Sequence, residues 1–168
     1  MAITVLQPNT IWLGGPKTEI NDRIAGVAIC PGHLVERYNP SGALLQWRPH
    51  STAAGGNTTR AVAVDNSMVN KGVNDGYAIG DLVNVIEGAA GTSFWMLIAS
   101  GQNIAPGAML ESVGDGTLRV WASGTKLFQA LEAVNNTTGN AGPTNPPPQT
   151  GGTTALPVGS ARIRVEVV

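Results

Sequence analysis

Two stretches of this chain repeat one pattern: PGHLVE at residues 31–36 with GALLQW at 42–47, and PGAMLE at 106–111 with GTLRVW at 116–121. When one gap residue is allowed, Pro, Gly, Glu, Gly, Leu and Trp coincide. Each copy predicts a Pro-Gly turn, a short strand, a polar turn that contains Gly, and a second strand that ends in Trp. Because a repeated hairpin builds the wall of a barrel or sandwich, it directs the search for function towards assembly and surfaces.

The composition is that of a turn-rich β-protein. The 168 residues fit one domain, with or without an appended arm, and suffice for a real core. Charged residues make up 12% of the chain, against about 25% in a typical soluble domain. This low charge has two interpretations: part of the surface is a contact face, or the chain is simply a β-protein rich in Thr, Asn and Gly.

Charge and hydropathy argue against several classes of partner. The formal net charge is −1 and no run of Lys or Arg occurs, so we expect no nucleic-acid partner. The longest apolar stretch, residues 94–99, is too short to span a membrane, and residues 1–5 lack the features of a signal peptide. Cys30 is the single cysteine and is expected to be a buried thiol. We therefore expect a protein made in the cytoplasm.

The two ends of the chain are predicted to differ. Residues 1–20 predict an extended N-terminal arm without regular structure, whose apolar triplet Ile11, Trp12 and Leu13 packs on its own core or on a neighbour. Residues 21–168 predict a single β domain. Within it, residues 135–155 predict a long loop rich in Pro, Gly and Thr, either flexible or held by a partner.

Three apolar segments are predicted to form much of the sheet structure. Residues 93–100 are the most apolar and predict a central strand. Residues 126–134 allow a short helix, but their place after a hairpin favours a strand. Residues 161–168 alternate strictly, which predicts Ile163, Val165 and Val167 on one face and Arg162, Arg164 and Glu166 on the other.

A search for chemistry in the sequence predicts no catalytic residue, cofactor or metal. His33 and His50 lack metal-ligand spacing, and no serine lies in a nucleophile motif. Glu36 and Glu111 recur in the repeat, which indicates a shared structural role or, alternatively, a hydrolytic pair. Trp47 and Trp121 close the two hairpins, either as a symmetric pair of core or barrel-end residues or as a platform for a sugar.

Several segments together resemble a known family. These are AGVA at 25–28, the first hairpin, GDLVNV at 80–85, IAPG at 104–107 with GTL at 116–118, and ARIRVEV at 161–167. They resemble the head decoration, or capsid cement, proteins of tailed bacteriophages, over most of residues 24–134 and the last strand. The resemblance implies a small β-rich domain with an extended arm, which binds the outside of the mature capsid, often as a trimer and sometimes as a dimer. Many copies would bridge neighbouring major capsid subunits and resist the pressure of packaged DNA.

These expectations combine into one hypothesis. We expect an all-β barrel or sandwich built from two similar hairpins, not an enzyme, located on the outer surface of the virion capsid. Its partners would be the major capsid protein and itself, a homotrimer in preference to a dimer. The contact candidates are Ile11, Trp12, Leu13, Arg162 and Arg164.

Two alternatives remain open. One is a carbohydrate-binding or host-attachment module on the virion, which would use Trp47 or Trp121 and the 135–155 loop. The other is a hydrolase on a β-barrel scaffold, which would need a close pair of carboxylates in a cleft.

Overall fold

The computed structural model describes residues 8–40, 44–54, 60–137 and 160–168. These residues form thirteen strands and one 3₁₀ turn, Ser67–Val69. The strands are β1 Trp12–Gly14, β2 Lys17–Ile20, β3 Leu34–Tyr38, β4 Gln46–Pro49, β5 Ala61–Ala63, β6 Val85–Gly88, β7 Ser93–Ile98, β8 Asn103–Ile104, β9 Met109–Ser112, β10 Leu118–Val120, β11 Phe128–Ala130, β12 Val134–Asn135 and β13 Ala161–Val167. The all-β prediction is therefore confirmed.

Five of the strands close into a barrel, in the order β7-β10-β9-β11-β13 and back to β7. All neighbours are antiparallel except β7 and β10, which meet in parallel at Ile98 and Leu118. Inside, Phe94 and Phe128 pack edge to face with ring centroids 6.4 Å apart. Closure leaves the barrel strands without a free edge, so the barrel is a rigid base for whatever surrounds it.

A second sheet packs against the barrel, in the order β2-β6-β5-β3-β4, with every pair antiparallel. One face, which includes Leu34, Val62 and Ile86, joins the core of the barrel. The alternate residues, such as Val35 and Val85, form a second apolar cluster on the other face. This second sheet is thus buried on both sides over its central strands, as the alternation of strand side chains requires.

Both predicted hairpins are present, as β3–β4 and β9–β10, but their registers differ. Glu36 lies opposite Arg48, which follows Trp47, whereas Glu111 lies opposite Arg119, which precedes Trp121. As a result Trp47 is buried while Trp121 is 38% exposed. The prediction that the two tryptophans form a symmetric pair is wrong, because turns of different length shift the pairing.

The two hairpins also contact each other directly through Gly116 in the turn of the second. The Leu34 amide donates to the Gly116 carbonyl at 2.8 Å, and the Gly116 amide donates to the His50 carbonyl at 3.2 Å. Gly116 has a φ of +85°, and a Cβ there would lie 2.8 Å from Cβ of Pro49. Only glycine tolerates both this positive φ and this close approach without strain.

The N-terminal segment differs from its prediction. The described residues that were expected to be an irregular arm contain β1, which pairs with β7, and β2, which pairs with β6. Ile11 is fully buried, and its carbonyl accepts from the Trp95 amide at 2.8 Å. The same segment is bound to Asp65, whose Oδ1 accepts hydrogen bonds from the Ile11 amide and the Thr10 hydroxyl. The apolar triplet therefore completes the sheet of its own chain, and residues 1–7 lie outside the described part.

The remaining segment predictions have mixed outcomes. Residues 93–98 form the central β7, and residues 126–134 contribute β11 and the start of β12, as predicted. The last strand is inserted between β7 and β11, and Ile163, Val165 and Val167 are buried. Of the 135–155 loop, the described part starts in β12, and residues 138–155 lie outside it.

Candidate functional site

The predicted contact residues of the N-terminal segment lie at one side of the barrel. Ile11 is enclosed in the core and has no surface to offer. Trp12 and Leu13 are half-buried and pack against the barrel core. The Lys17 ammonium lies 4.1 Å from the centroid of the Trp12 ring, a cation–π contact that covers part of its open side. Of the three residues, only Trp12 and Leu13 therefore remain as candidate contact residues.

Arg162 occupies the interior rather than the surface expected from strand alternation. Its guanidinium donates to Asn74 Oδ1 and the Pro31 carbonyl, each at 2.8 Å, and to the Val73 carbonyl. Its charge lies 5.1 Å from the Trp95 ring centroid. Burial lowers the pKa of Arg162 to about 10, so it remains charged at neutral pH. The prediction of Arg162 as a contact residue is wrong, because two loops cover this face of β13.

Arg164, two residues further along β13, is half-buried, and its amide donates to Glu132 Oε1 at 2.9 Å. Its role in contact with a partner stays a prediction.

Next to the N-terminal segment, β2 is an edge strand. Among the described residues its only strand neighbour is β6, and Lys17, Thr18 and Glu19 are exposed. A recess of about 250 Å³ lies beside the strand, lined by Pro16, Lys17, Thr18, Glu87, Gly88 and Ala89. An open strand edge is a template to which an extended segment of another protein can pair.

The two repeated carboxylates have structural partners. Glu36 accepts from Arg48 Nε and the Ser51 hydroxyl, each at 2.7 Å. Glu111 accepts from Arg119 Nε at 2.9 Å and from the Gly124 amide at 2.7 Å. Burial raises the pKa of Glu111, but the hydrogen bonds from Gly124 and Arg119 outweigh it and leave the pKa below its ordinary value. Each carboxylate thus binds the second strand of its own hairpin and the turn beyond it.

One arrangement that the sequence analysis missed joins a serine, a histidine and a glutamate. Ser112 Oγ lies 2.9 Å from His50 Nδ1, and His50 Nε2 lies 3.8 Å from Glu36 Oε2. The order of groups is that of a catalytic triad. However, Ser112 and His50 are both fully buried, and Ser112 Oγ also accepts from the Gly114 amide. A substrate has no access to this hydroxyl, and the arrangement links the two hairpins.

The other candidate reactive groups are also enclosed. The Cys30 amide donates to Nδ1 of the buried His33 at 3.1 Å. Burial lowers the pKa of His33 to about 4 and raises the pKa of Cys30 to about 11. Across the described ranges, no cluster of three or more His, Cys, Asp or Glu side chains could hold a metal ion. That same part of the chain contains no helix with the length and apolarity of a membrane span.

Of the two tryptophans considered as a sugar platform, only Trp121 reaches the surface. Its indole Nε1 donates to the Gly124 carbonyl at 2.7 Å, and the Lys126 ammonium lies 4.3 Å from its ring centroid. Trp47 is enclosed in the second apolar cluster. Of the two tryptophans, the carbohydrate alternative therefore retains Trp121, while residues 138–155 of the loop that it would also use lie outside the described residues.

Several large aliphatic side chains are exposed on segments outside the barrel strands. They are Ile24, Leu44, Leu45, Met68, Ile79 and Leu82. Ile24 and Leu82 form a β-bridge, and Ile24, Leu44 and Leu45 line one groove of about 430 Å³ together with Asp22, Arg23 and Asn39.

Two tight turns carry Met68 and Ile79. Met68 lies on the 3₁₀ turn, where Asn66 Oδ1 accepts from the Met68 amide at 3.1 Å, and Asn66 and Lys71 exchange two backbone hydrogen bonds. Ile79 lies on a turn closed by Asp81, which accepts from the Ala78 amide at 2.9 Å. A salt bridge of 3.2 Å between Lys71 and Asp81 ties the two turns together.

No protein-family model matches the chain, and no curated protein matches it either.

Proposed function

We propose that this protein is a structural component of a tailed-bacteriophage virion, which binds the outside of the mature capsid and bridges neighbouring major capsid subunits. Two features of sequence support the proposal: the resemblance to decoration proteins and the low charge. The single observation that carries it is the open edge of β2 beside the half-buried Trp12 and Leu13.

The proposed mechanism is thermodynamic linkage. A ligand that binds only the assembled and expanded shell stabilises that state by mass action. Attachment at many positions then gives strong overall binding from modest contacts per subunit. The fold suits this task because β1 pairs with barrel strand β7 and β2 pairs with β6 of the second sheet, so that little ordering is needed when they bind.

In this proposal an extended segment of a capsid subunit pairs with the outer edge of β2. The exposed Lys17 and Glu19 already form a pair at 3.3 Å, so the edge carries one charge of each sign and favours a polar, uncharged strand. Trp12 and Leu13 extend the contact with apolar area, and Arg164 is a further candidate.

Co-sedimentation with undecorated phage heads tests this contact. The wild-type protein should pellet with expanded heads and not with unexpanded ones. Glu19→Pro, on the exposed edge strand, should abolish pelleting, because the Glu19 amide faces away from β6 and proline removes this donor from the open edge. Val120→Glu, at an exposed position on barrel strand β10, serves as the control and should bind normally. Normal binding by a folded Glu19→Pro variant would overturn the proposed contact.

Since Glu19→Pro also removes the side chain that pairs with Lys17, a second variant keeps the test interpretable. Lys17→Glu places two acidic side chains on the edge without altering the backbone, and it should weaken binding to expanded heads. Deletion of residues 1–15 is unsuitable, because it would remove the buried Ile11 and strand β1.

The second candidate function is carbohydrate binding, which the exposure of Trp121 favours. Stacking of a sugar on this ring would require Lys126 to move aside. A glycan ligand should then protect tryptophan fluorescence from acrylamide, and Trp121→Ala should remove the protection. Absence of protection across a glycan panel would exclude this function.

A further inference from the structure

We infer that the segment which pairs with β2 carries a basic side chain, lysine or arginine, that enters the recess beside this strand and meets the Glu87 carboxylate. The inference rests on the proposed function in that the capsid segment of that proposal would supply the basic residue. Its first test uses synthetic peptides and no capsid, so its failure can be told apart from failure of capsid binding.

The open edge of β2 offers the backbone groups of two residues. The Ala89 amide donates to the Pro16 carbonyl at 3.5 Å, at the end of the ladder that β2 forms with β6. Because hydrogen-bonded pairs alternate along an antiparallel ladder, the amides and carbonyls of Lys17 and Glu19 point away from β6. A strand added at this edge would continue both faces of the sheet with its alternating side chains.

Strand alternation also assigns the recess to one of these faces. The lining residues that share this face are Pro16, Thr18, Glu87 and Ala89. Lys17 belongs to the other face, where its ammonium lies 4.1 Å from the centroid of the Trp12 ring and 3.3 Å from Glu19 Oε2. The charge that remains on the face of the recess is therefore the negative charge of Glu87.

Glu87 is exposed and has no compensating charge beside it. Its cross-strand neighbours are Thr18 on β2 and Ala61 on β5. Within the described ranges its carboxylate forms no ion pair, whereas Glu36 and Glu111 each bind an arginine. A carboxylate without a partner, next to open backbone groups, is electrostatically complementary to a cation on the incoming strand.

The shape of the recess suits a long basic side chain. Its volume of about 250 Å³ leaves room for one such side chain, whose apolar stem would pack on Pro16 and Ala89 while its charge reaches Glu87. The other face of the segment can stay polar and uncharged, since Lys17 and Glu19 pair with each other. An acidic side chain in the recess would be repelled by Glu87.

Amide chemical shifts of the full chain, titrated with synthetic peptides, test the preference. The peptides have about nine residues, the length of a strand, alternate Thr and Ser, and differ in one central residue: arginine, glutamine or glutamate. The arginine peptide should shift the amide signals of Lys17, Glu19 and Glu87 at concentrations up to roughly 5 mM. It should bind about threefold to tenfold more tightly than the glutamine peptide, and the glutamate peptide should bind most weakly.

Variants of Glu87 locate the preference in the recess. Glu87→Gln should bind the arginine and glutamine peptides equally, because it removes the charge and keeps the shape. Glu87→Lys should reverse the preference in favour of the glutamate peptide. Asp75→Asn is the matched control, since it removes one carboxylate charge from a loop where Asn can still accept from the Gly72 amide. It should keep the preference of the wild type, and the dispersion of the amide signals checks that each variant is folded.

Three results with the peptides would overturn the inference: no shift at the β2 edge with any peptide, equal binding of the arginine and glutamine peptides by the wild type, or an arginine preference that survives Glu87→Gln. In co-sedimentation, Glu87→Gln should pellet less with expanded heads than the wild type, and equal pelleting would overturn the inference as well. A wild type that discriminates between the peptides but does not pellet with heads would refute the proposed function alone.

Discussion

His33 lies where the two hairpins meet, and its Nδ1 is committed as an acceptor to the Cys30 amide. A proton on Nδ1 would oppose that donor in a buried site. Burial accordingly lowers the pKa of His33 to about 4 from an ordinary value of 6.5. Below pH 6.5 the unfolded chain therefore binds a proton that the folded chain excludes, so stability falls as the pH falls from 6.5 towards 4.

The predicted loss attributable to His33 over this range is up to about 3 kcal/mol. His33→Asn keeps an acceptor within reach of the Cys30 amide but cannot titrate, so urea unfolding of this variant should depend less on pH between 6.5 and 4. An unchanged pH dependence would contradict the assignment.

Arg162 supplies a second test at the same scale, since its guanidinium joins β13 to Asn74 and to the backbone at Pro31 and Val73. Arg162→Met should destabilise the protein by about 3 kcal/mol, because it leaves these acceptors buried without a donor. Arg164→Met, at a half-buried site on the same strand, should change stability by roughly 0.5 kcal/mol or less. Equal effects in urea unfolding would show that Arg162 does not have this structural role.

At the scale of elements, the contact between the two hairpins depends on Gly116. Gly116→Ala combines a strained backbone with a Cβ placed 2.8 Å from Pro49. Gly101→Ala is the matched control, because Gly101 has a similar φ of +81° but open space around it. Gly101→Ala should cost about 1 kcal/mol, and Gly116→Ala about 1–3 kcal/mol more. A similar fall in thermal stability for both variants would show that the close contact between Gly116 and Pro49 contributes little to stability.

The arrangement of these elements could be predicted from the sequence only in part. The hairpins and β13 could be predicted, because alternation and turn residues are local signals. The unequal environments of Trp47 and Trp121 could not, since register depends on how each turn closes. The burial of Arg162 and the contact of Ser112 with His50 depend on segments far apart in the chain. Alternation assigns a side chain to a face, but it does not reveal what covers that face.

At the scale of the whole molecule, the described surface offers an open strand edge at β2, on a sheet that packs against a closed barrel. In our account this edge binds the shell. Because many copies would bind the same shell, separating shell subunits would require several contacts to break together.

The stabilisation of expanded heads is the central claim, and calorimetry of undecorated heads with and without the protein tests it most directly. The account predicts that saturating protein raises the temperature at which expanded heads disrupt, and that it leaves unexpanded heads unaffected, because only the expanded shell binds it. An unchanged disruption temperature for expanded heads at saturating protein would contradict the account.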